Sequence, residues 1–161
     1  MTDTDVIGIE FEFTRSYEDH LVRLFKGVPI EKYTWYVSCS ENYGSKSNEK
    51  AAPFLPDGIY SGAEFSSIIH SIPYHYINLI RLLAIPSGKD FDPDKINVYE
   101  DFQESATEIA LLSADSIVSL YIKDRNILDT VFESCKLYYD NSAIVPTLIT
   151  PQNDGRTRFW V

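Results

Sequence analysis

The sequence predicts an α+β fold: a single domain of residues 1–161, with a mixed, mostly antiparallel sheet covered by about three helices, mainly on one face. Three observations favour this class. Segments with strand-like alternation are interspersed with amphipathic helical segments, and two neighbouring strand segments are close enough to form a hairpin. In addition, 161 residues fit one compact domain, and no linker divides them.

The first elements are predicted to be a strand, a helix and a second strand. Residues 6–13 alternate between apolar side chains and Gly or Glu, which is typical of a half-buried strand. Ser16 is a candidate N-cap for a helix with apolar residues at helical spacing, and Gly27 ends that helix. Residues 32–39 are rich in aromatic and β-branched side chains and predict the second strand.

The middle of the chain is predicted to be a long loop, a short helix and the longest strand. Residues 40–56 are rich in Ser, Asn, Lys and Gly, and a loop of that length is either functional or mobile. After a turn at Asp57-Gly58, Ser61 is the candidate cap of a helix that Pro73 ends. Residues 74–85 are apolar enough on both faces to form a central strand.

The last part of the chain is predicted to be a short helix, a hairpin, a long helix and two strands. Asp124 is the candidate cap of the long helix, which carries the clearest apolar stripe in the sequence. The stripe consists of Ile127, Leu128, Val131, Phe132, Cys135 and Tyr138. The short helix is predicted over residues 99–104, and the hairpin pairs residues 107–114 with 117–123 around Asp115-Ser116. The two last strands are predicted over residues 143–149 and 156–161, and the final one lies at an edge of the sheet.

Two features of the sequence predict a cytoplasmic protein with reduced cysteines. The acidic residues 1–5 differ from the basic start of a secretory signal. The longest apolar run, residues 76–85, contains Arg81 and is far too short to span a bilayer. Without a signal of secretion, we expect the two cysteines, Cys39 and Cys135, to be free thiols.

The formal net charge of −10 narrows the range of partners. Phosphate backbones and anionic lipids repel a chain of this charge, so we expect it to bind neither nucleic acid nor a membrane. The aromatic residues 33–36 could stack on bases, but packing in the sheet explains them better. A basic protein is the expected partner.

The acidic residues are concentrated in one segment. Residues 90–108 contain seven acids and a single lysine, a local charge of −6. Such a surface is either a binding feature or a solvated loop. The candidate partner-binding residues within it are Asp90, Asp92, Asp94, Glu100, Asp101 and Glu104.

The same segment begins like a calcium-binding loop, with acids at alternate positions. Its sixth position is Lys95 instead of Gly, its twelfth is Asp101 instead of Glu, and Pro93 stiffens the turn. Glycine patterns that bind phosphate groups are also absent from the sequence. We therefore expect neither a metal site nor a cofactor.

Several residues are weak candidates for catalysis. His20, His70 and His75 do not have the spacing of a helical zinc motif, and each is better explained as a structural or surface residue. Glu10 and Glu12 share a strand face, as paired carboxylates of a hydrolase do, but acids are common on the solvated side of a strand. A Cys–His pair with Cys39 or Cys135 as the nucleophile is a further candidate, although Cys135 lies on the apolar stripe, where a thiol is inert.

Four parts of the sequence together resemble a known family. They are Tyr33-Thr34-Trp35-Tyr36-Val37, Tyr99-Glu100-Asp101-Phe102, residues 108–124 and Asp154-Gly155-Arg156-Thr157-Arg158. The family is the uncharacterised bacterial domain-of-unknown-function family 2691. The resemblance spans nearly the whole chain and implies one domain in a bacterial cytoplasm, but it brings no known activity, cofactor or catalytic residue. Its small acidic members are similar in size and charge to bacterial immunity proteins, which neutralise toxins by covering them.

These observations lead to three hypotheses. The first is a non-catalytic protein-binding domain, such as an immunity-type or regulatory inhibitor, which uses an acidic face against a basic partner. The second is a small enzyme or ligand-binding protein whose Tyr, His and carboxylate side chains meet in a pocket only after folding. In the third, the acidity serves solubility alone.

Overall fold

The computed structural model describes residues 5–13, 18–44, 52–139 and 144–161. Within them lie seven strands: β1 Gly8–Glu12, β2 Tyr33–Tyr43, β3 Gly58–Ser61, β4 Tyr76–Pro86, β5 Ile109–Ala114, β6 Ile117–Ile122 and β7 Thr147–Ile149. The α-helices are α1 His20–Leu24, α2 Gly62–Ser71, α3 Tyr99–Glu104 and α4 Arg125–Tyr139, and Ile30–Lys32 and Pro93–Lys95 form 3₁₀ turns. The combination of one sheet with separate helices confirms the α+β class.

The strands form one sheet in the order β3-β2-β4-β5-β6-β1-β7. Every pair in the described sheet is antiparallel, so the prediction of a mixed sheet was wrong in this detail. Helices between strands suggested a parallel pair, because parallel strands need such a crossover. Here α1, α2 and α4 do connect strands that run in the same direction, but in each case at least one other strand lies between the two in the sheet. The predicted central position of β4 is confirmed, since it pairs with β2 and β5.

The first core joins three helices to alternate residues of the strands. Its strand members include Trp35 of β2 and Leu82 of β4, and its helix members come from α1, α2 and α4. Of the apolar stripe predicted on α4, Leu128, Val131 and Cys135 are fully buried. The other three residues of the stripe, Ile127, Phe132 and Tyr138, are partly buried against the same core.

The second core lies on the opposite side of the sheet. Leu83 of β4 and Tyr121 of β6 belong to it, and their neighbours along each strand belong to the first core. Successive strand residues point to opposite faces, so the two cores share one sheet between them. The second core is closed by Ile96, Phe102 and Phe159, which lie outside the sheet.

Local signals in the sequence account for several element boundaries. The Oδ1 atom of Asp124 accepts hydrogen bonds from the backbone N–H groups of Asn126 and Ile127, at 2.9 and 3.2 Å, as predicted for an N-cap. Ser61 and Glu64 form a capping box at the start of α2. The hairpin turn residues Asp115 and Ser116 have φ values of 52° and 68°, typical of a two-residue hairpin loop.

Three predicted segments differ from the structure. Strand β2 continues to Tyr43 inside the predicted loop, where the amide of Asn42 exchanges two hydrogen bonds with the backbone of the buried Leu55. The predicted turn at Asp57-Gly58 leads into the edge strand β3 before the helix begins. Residues 156–161 form no strand, because Phe159 and its neighbours pack over the sheet instead of pairing at its edge. The predicted cap Ser16 lies outside the described residues, as does Ala143 at the start of the predicted penultimate strand.

Candidate functional site: an acidic surface held by a buried arginine

Arg81 lies in the middle of β4, and its side chain is completely buried on the side of the second core. Its Nε atom donates a hydrogen bond to the carbonyl oxygen of Phe159 at 2.7 Å. Its Nη2 atom donates to the carbonyl oxygens of Ile96 and Pro93, at 2.6 and 3.2 Å. One side chain therefore fixes both the acidic segment and the C-terminal segment to the centre of the sheet.

The charge of Arg81 is balanced in an unusual way. No carboxylate of the described chain lies within 4 Å of its guanidinium group. Carbonyl dipoles take that role together with the ring of Trp160, whose centroid is 3.7 Å from Cζ. Burial lowers the pKa of Arg81 to about 10, so the group stays charged at neutral pH. Because an uncompensated buried charge is strongly destabilising, these carbonyls and this ring are needed in place.

Two of the predicted acidic residues have structural roles in the segment of residues 90–104. The Oδ1 atom of Asp92 accepts a hydrogen bond from the backbone N–H of Asp94 at 3.1 Å. The Oδ2 atom of Asp101 accepts from the backbone N–H groups of Asn97 and Val98, at 2.9 and 3.1 Å, just before α3. These carboxylates shape the backbone and remain partly or fully exposed.

Four of the six predicted residues surround one depression of about 550 Å³, named here the acidic depression. It is lined by Asp90, Asp92, Asp101 and Glu104, together with Phe91, Lys95, Ile96, Ser105 and Ala106. Asp94 is exposed on the 3₁₀ turn beside it. Glu100 lines a different depression with Asp154 and Arg156, so the six acids do not form one continuous site.

His75 is a structural residue with a fixed tautomer. It is fully buried, and its Nδ1 atom accepts a hydrogen bond from the backbone N–H of Leu21 at 3.1 Å. Its Nε2–H group donates to the carbonyl oxygen of Ile69 at 3.0 Å, so the neutral ring joins α1 to α2. Burial lowers the pKa of His75 to about 4. At neutral pH the ring is therefore uncharged, and both of its nitrogens are occupied by these hydrogen bonds.

The other two histidines are also bound to neighbours. The Nδ1 atom of the buried His20 lies 2.8 Å from the hydroxyl of Tyr139, inside the first core. The exposed His70 donates from Nδ1 to the carbonyl oxygen of Ser66 at 2.7 Å. Ser66 Oγ is 3.4 Å from the same nitrogen, whose proton already points to the carbonyl. Ser66 and His70 therefore lack the geometry of a nucleophile and its base.

A further depression, with a volume of about 880 Å³, lies between α1, α2 and α4. It brings together His70, Tyr138, Asp19 and Glu31, residues of the types expected for a ligand pocket. Its arginine, Arg23, is paired with Asp19 at 2.8 Å and with Glu18 at 2.7 Å. We name it the helix cleft.

The remaining candidates do not form a catalytic group. Cys39 and Cys135 are both free thiols, and burial raises the pKa of Cys135, which keeps that thiol protonated and unreactive. Glu10 is exposed and Glu12 partly exposed on the side of β1 that faces away from the first core. Among the described residues, no three His, Cys, Asp or Glu side chains are arranged to hold a metal ion. No helix in the described ranges is long and apolar enough to cross a membrane.

Sequence reasoning missed the two residues that organise this surface, Arg81 and Trp160. An arginine inside an otherwise apolar strand was a usable signal, since a charge in a buried strand needs a dedicated partner. Trp160 gave no signal, because its contact with Arg81 joins positions that are distant in the sequence.

A family model and a relative both match almost the whole chain. The family model described as "Protein of unknown function (DUF2691)" matches residues 6–160. The chain is similar to "Uncharacterized protein YncE" of Bacillus subtilis (strain 168), with 33% identity over 159 residues that cover 96% of this chain and 98% of the relative. No solved structure gives a significant match. The chain therefore belongs to the DUF2691 family, as its sequence resemblance predicted.

Proposed function

We propose that this protein is a non-catalytic protein-binding domain that binds a basic partner through the acidic depression. The observation that carries the proposal is the convergence of Asp90, Asp92, Asp101 and Glu104 on one depression. Their segment is fixed to the sheet by Arg81 through the carbonyls of Pro93 and Ile96. A surface held in this way loses little conformational entropy on binding.

The charges of the depression suit a lysine-rich or arginine-rich surface. Asp90 and Glu104 are exposed, and neither side chain makes a hydrogen bond within the described structure. Clustered charges of one sign speed the encounter with a partner of opposite sign and discriminate against acidic competitors. The half-buried ring of Phe91 adds an apolar surface to the same depression.

A domain of this kind acts by covering the active surface of its partner, as an immunity-type or regulatory inhibitor does. This form of the proposal rests on the acidic character of the chain and on the meeting of four acids at one depression. We also propose a cytoplasmic location, which two free cysteines support.

The test is affinity capture from the native cell at low salt with three forms of the protein. The first is wild type, the second carries Asp90→Asn and Glu104→Gln, and the third carries Asp115→Asn and Glu133→Gln as a control of equal charge at exposed positions outside both candidate sites. We expect a basic protein that wild type and the control retain and that high salt releases. Equal capture by all three forms would refute a role for the acidic depression.

A second candidate function is small-ligand binding in the helix cleft. It is favoured by the meeting of His70, Tyr138, Asp19 and Glu31, and by a volume of about 880 Å³ that suits a small molecule. Thermal shifts with metabolite mixtures would separate the two candidates. A ligand that stabilises wild type but not His70→Ala favours the cleft, whereas a basic protein lost with Asp90→Asn favours the acidic depression.

A further inference from the structure

A fourth depression lies where residues 154–160 cross the sheet, with a volume of about 470 Å³. Its floor is formed by Glu10 of β1 and by Ile117 and Ser119 of β6, and Glu10 lies directly opposite Ser119 in the register. Residues 154–158 form one wall, and Trp160 is also part of the lining. We name it the C-terminal groove. It contains the Asp154-Gly155-Arg156-Thr157-Arg158 run, which the acidic depression does not use.

Arg156 lies in this groove without a strong acceptor. Its Nη2 atom is 3.3 Å from Ser119 Oγ, and its Nη1 atom is 3.3 and 3.4 Å from the carbonyl oxygens of Trp160 and Arg158. Its Nε atom is buried and has no partner in the described structure. Charge-assisted hydrogen bonds of arginine are normally about 2.7–2.9 Å long, so these contacts position the guanidinium without saturating it.

The nearby carboxylate of Asp154 serves another purpose. Its Oδ1 atom accepts hydrogen bonds from the hydroxyl of Tyr121 at 2.9 Å and from the backbone N–H of Arg156 at 3.1 Å. Within the described chain no carboxylate lies within 4 Å of the guanidinium of Arg156 or of Arg158. Asp154 thus fixes the backbone turn that places Arg156 in the groove. The exposed Arg158 lies on the same wall.

We propose that the C-terminal groove binds a small molecule through its carboxylate or phosphate group. A guanidinium group presents paired N–H donors that match the oxygens of either anion. Trp160 is a fixed part of the lining, since its ring lies against Arg81 and its Nε1–H group donates to Oδ1 of Asn97 at 2.8 Å, and Glu10 would accept a hydrogen bond from the ligand. The volume of the groove is within the range of ligand sites, about 300–1,000 Å³.

The overall charge of −10 does not prevent this binding. Exposed charges farther away than the Debye length, about 8 Å at physiological ionic strength, are largely screened. Within the groove, Arg156 and Arg158 balance Glu10 and Asp154, and Asp154 is already engaged by Tyr121 and the backbone. The charges that line the groove therefore sum to zero, so the groove does not share the acidity of the chain as a whole.

The experiment is a titration of the ¹⁵N-labelled protein with phenyl phosphate and, separately, with benzoate, followed by NMR. The indole resonance of Trp160 should shift, while that of Trp35, which is fully buried in the first core, should not. Arg156→Gln should weaken binding by roughly tenfold, the loss expected for one charge-assisted interaction. Arg158→Gln, at an exposed position that tolerates substitution, should weaken it several-fold, and the control Lys89→Gln should leave it unchanged.

The two anions distinguish the two classes of ligand. Tighter binding of phenyl phosphate than of benzoate indicates a phosphate ligand, and the reverse order indicates a carboxylate ligand. Three results would overturn the proposal. They are no shift of the Trp160 resonance at tens of millimolar of either probe, equal binding by wild type and both arginine variants, or equal binding of neutral phenol. The acidic depression plays no part in this titration, so its outcome is independent of the proposed protein partner.

Discussion

The first core and the second core pack on opposite sides of the same sheet, and they differ in what holds them together. In the first core, apolar side chains of α1, α2 and α4 pack against the strands, and rings such as those of Trp35 and Phe65 stack at 4.2 Å. In the second core, irregular segments are attached to the sheet by a buried cation, Arg81, through three carbonyl oxygens.

The difference shows how the two sides of the molecule can serve different purposes. Apolar packing depends on many small contacts and fixes whole helices. A buried guanidinium makes a few directional contacts, so it can hold segments such as residues 90–104 that lack a continuous apolar stripe. Those segments are then free to present charged side chains to solvent, and the acidic depression and the C-terminal groove both lie there.

The largest expected effect is on the first core. Trp35→Ala should lower the free energy of unfolding by about 4 kcal/mol, because a fully buried aromatic ring is lost along with its stacking on Phe65. The matched control is Ile59→Ala on the edge strand, where the side chain is 68% exposed and the change should stay within about 0.5 kcal/mol. Urea denaturation measures both. Similar values for the two variants would show that the first core is not the stabilising centre.

Arg81→Met tests the second core. It leaves the carbonyl oxygens of Phe159, Ile96 and Pro93 without their donor, and we expect a loss of about 3 kcal/mol. Amide hydrogen exchange should also increase at Phe159 and Ile96, but not at Leu128 in α4. Unchanged stability together with unchanged exchange at Phe159 would contradict the role assigned to this arginine.

His75 should make the first core sensitive to acid. Its pKa is about 4 in the folded protein, below the ordinary value of 6.5, so between these values the unfolded chain binds the proton more readily. The stabilisation is therefore complete above pH 6.5 and is lost as the pH falls toward 4. Between pH 7 and pH 5 we expect the free energy of unfolding to fall by about 2 kcal/mol from this residue.

Denaturation at the two pH values checks this expectation with two variants. His75→Gln should be less stable than wild type at pH 7 but should show a smaller loss on acidification. His70→Gln, on the exposed side of α2, should keep the full loss. If His75→Gln loses as much stability as wild type, other groups account for the acid sensitivity.

The first core could largely be predicted from the sequence, and the second could not. The stripe on α4 and the caps Asp124 and Ser61 are local signals, because their partners are a few residues away. The attachment of Ile96 and Phe159 to Arg81 joins distant positions, and periodicity does not report such contacts. Residues 156–161 were predicted as a strand because they follow the Asp154-Gly155 turn, and no local signal shows that Phe159 packs over the sheet instead.

The acidic residues of the candidate site could be predicted from the sequence, but their arrangement in space could not. The acidic residues were identified from charge alone, and α3 was placed correctly at Tyr99–Glu104. Charge density does not show that Asp101 binds the backbone just before α3 or that Glu100 and Arg156 line the same depression. The C-terminal groove was not predicted, because Glu10, Ser119 and Arg156 meet only through the pairing of β1 with β6 and the return of the chain over them.

The smallest effect on stability is expected for Asp90 and Glu104, the two residues proposed to recognise the basic partner. Asp90→Asn combined with Glu104→Gln should change the free energy of unfolding by no more than about 0.5 kcal/mol, because both side chains are exposed. Asp92 and Asp101 stay in place in this variant, since they bond to the backbone. Any loss of binding then reports on recognition and not on folding.

The association rate of that variant with the captured partner, at low and at physiological ionic strength, tests the central proposal most directly. Wild type should associate fastest at low salt and show a steep decrease as salt rises. The variant should associate several-fold more slowly at low salt and depend less on salt, while Asp115→Asn with Glu133→Gln should behave like wild type. Equal rates and equal salt dependence for wild type and the Asp90/Glu104 variant would contradict recognition through the acidic depression.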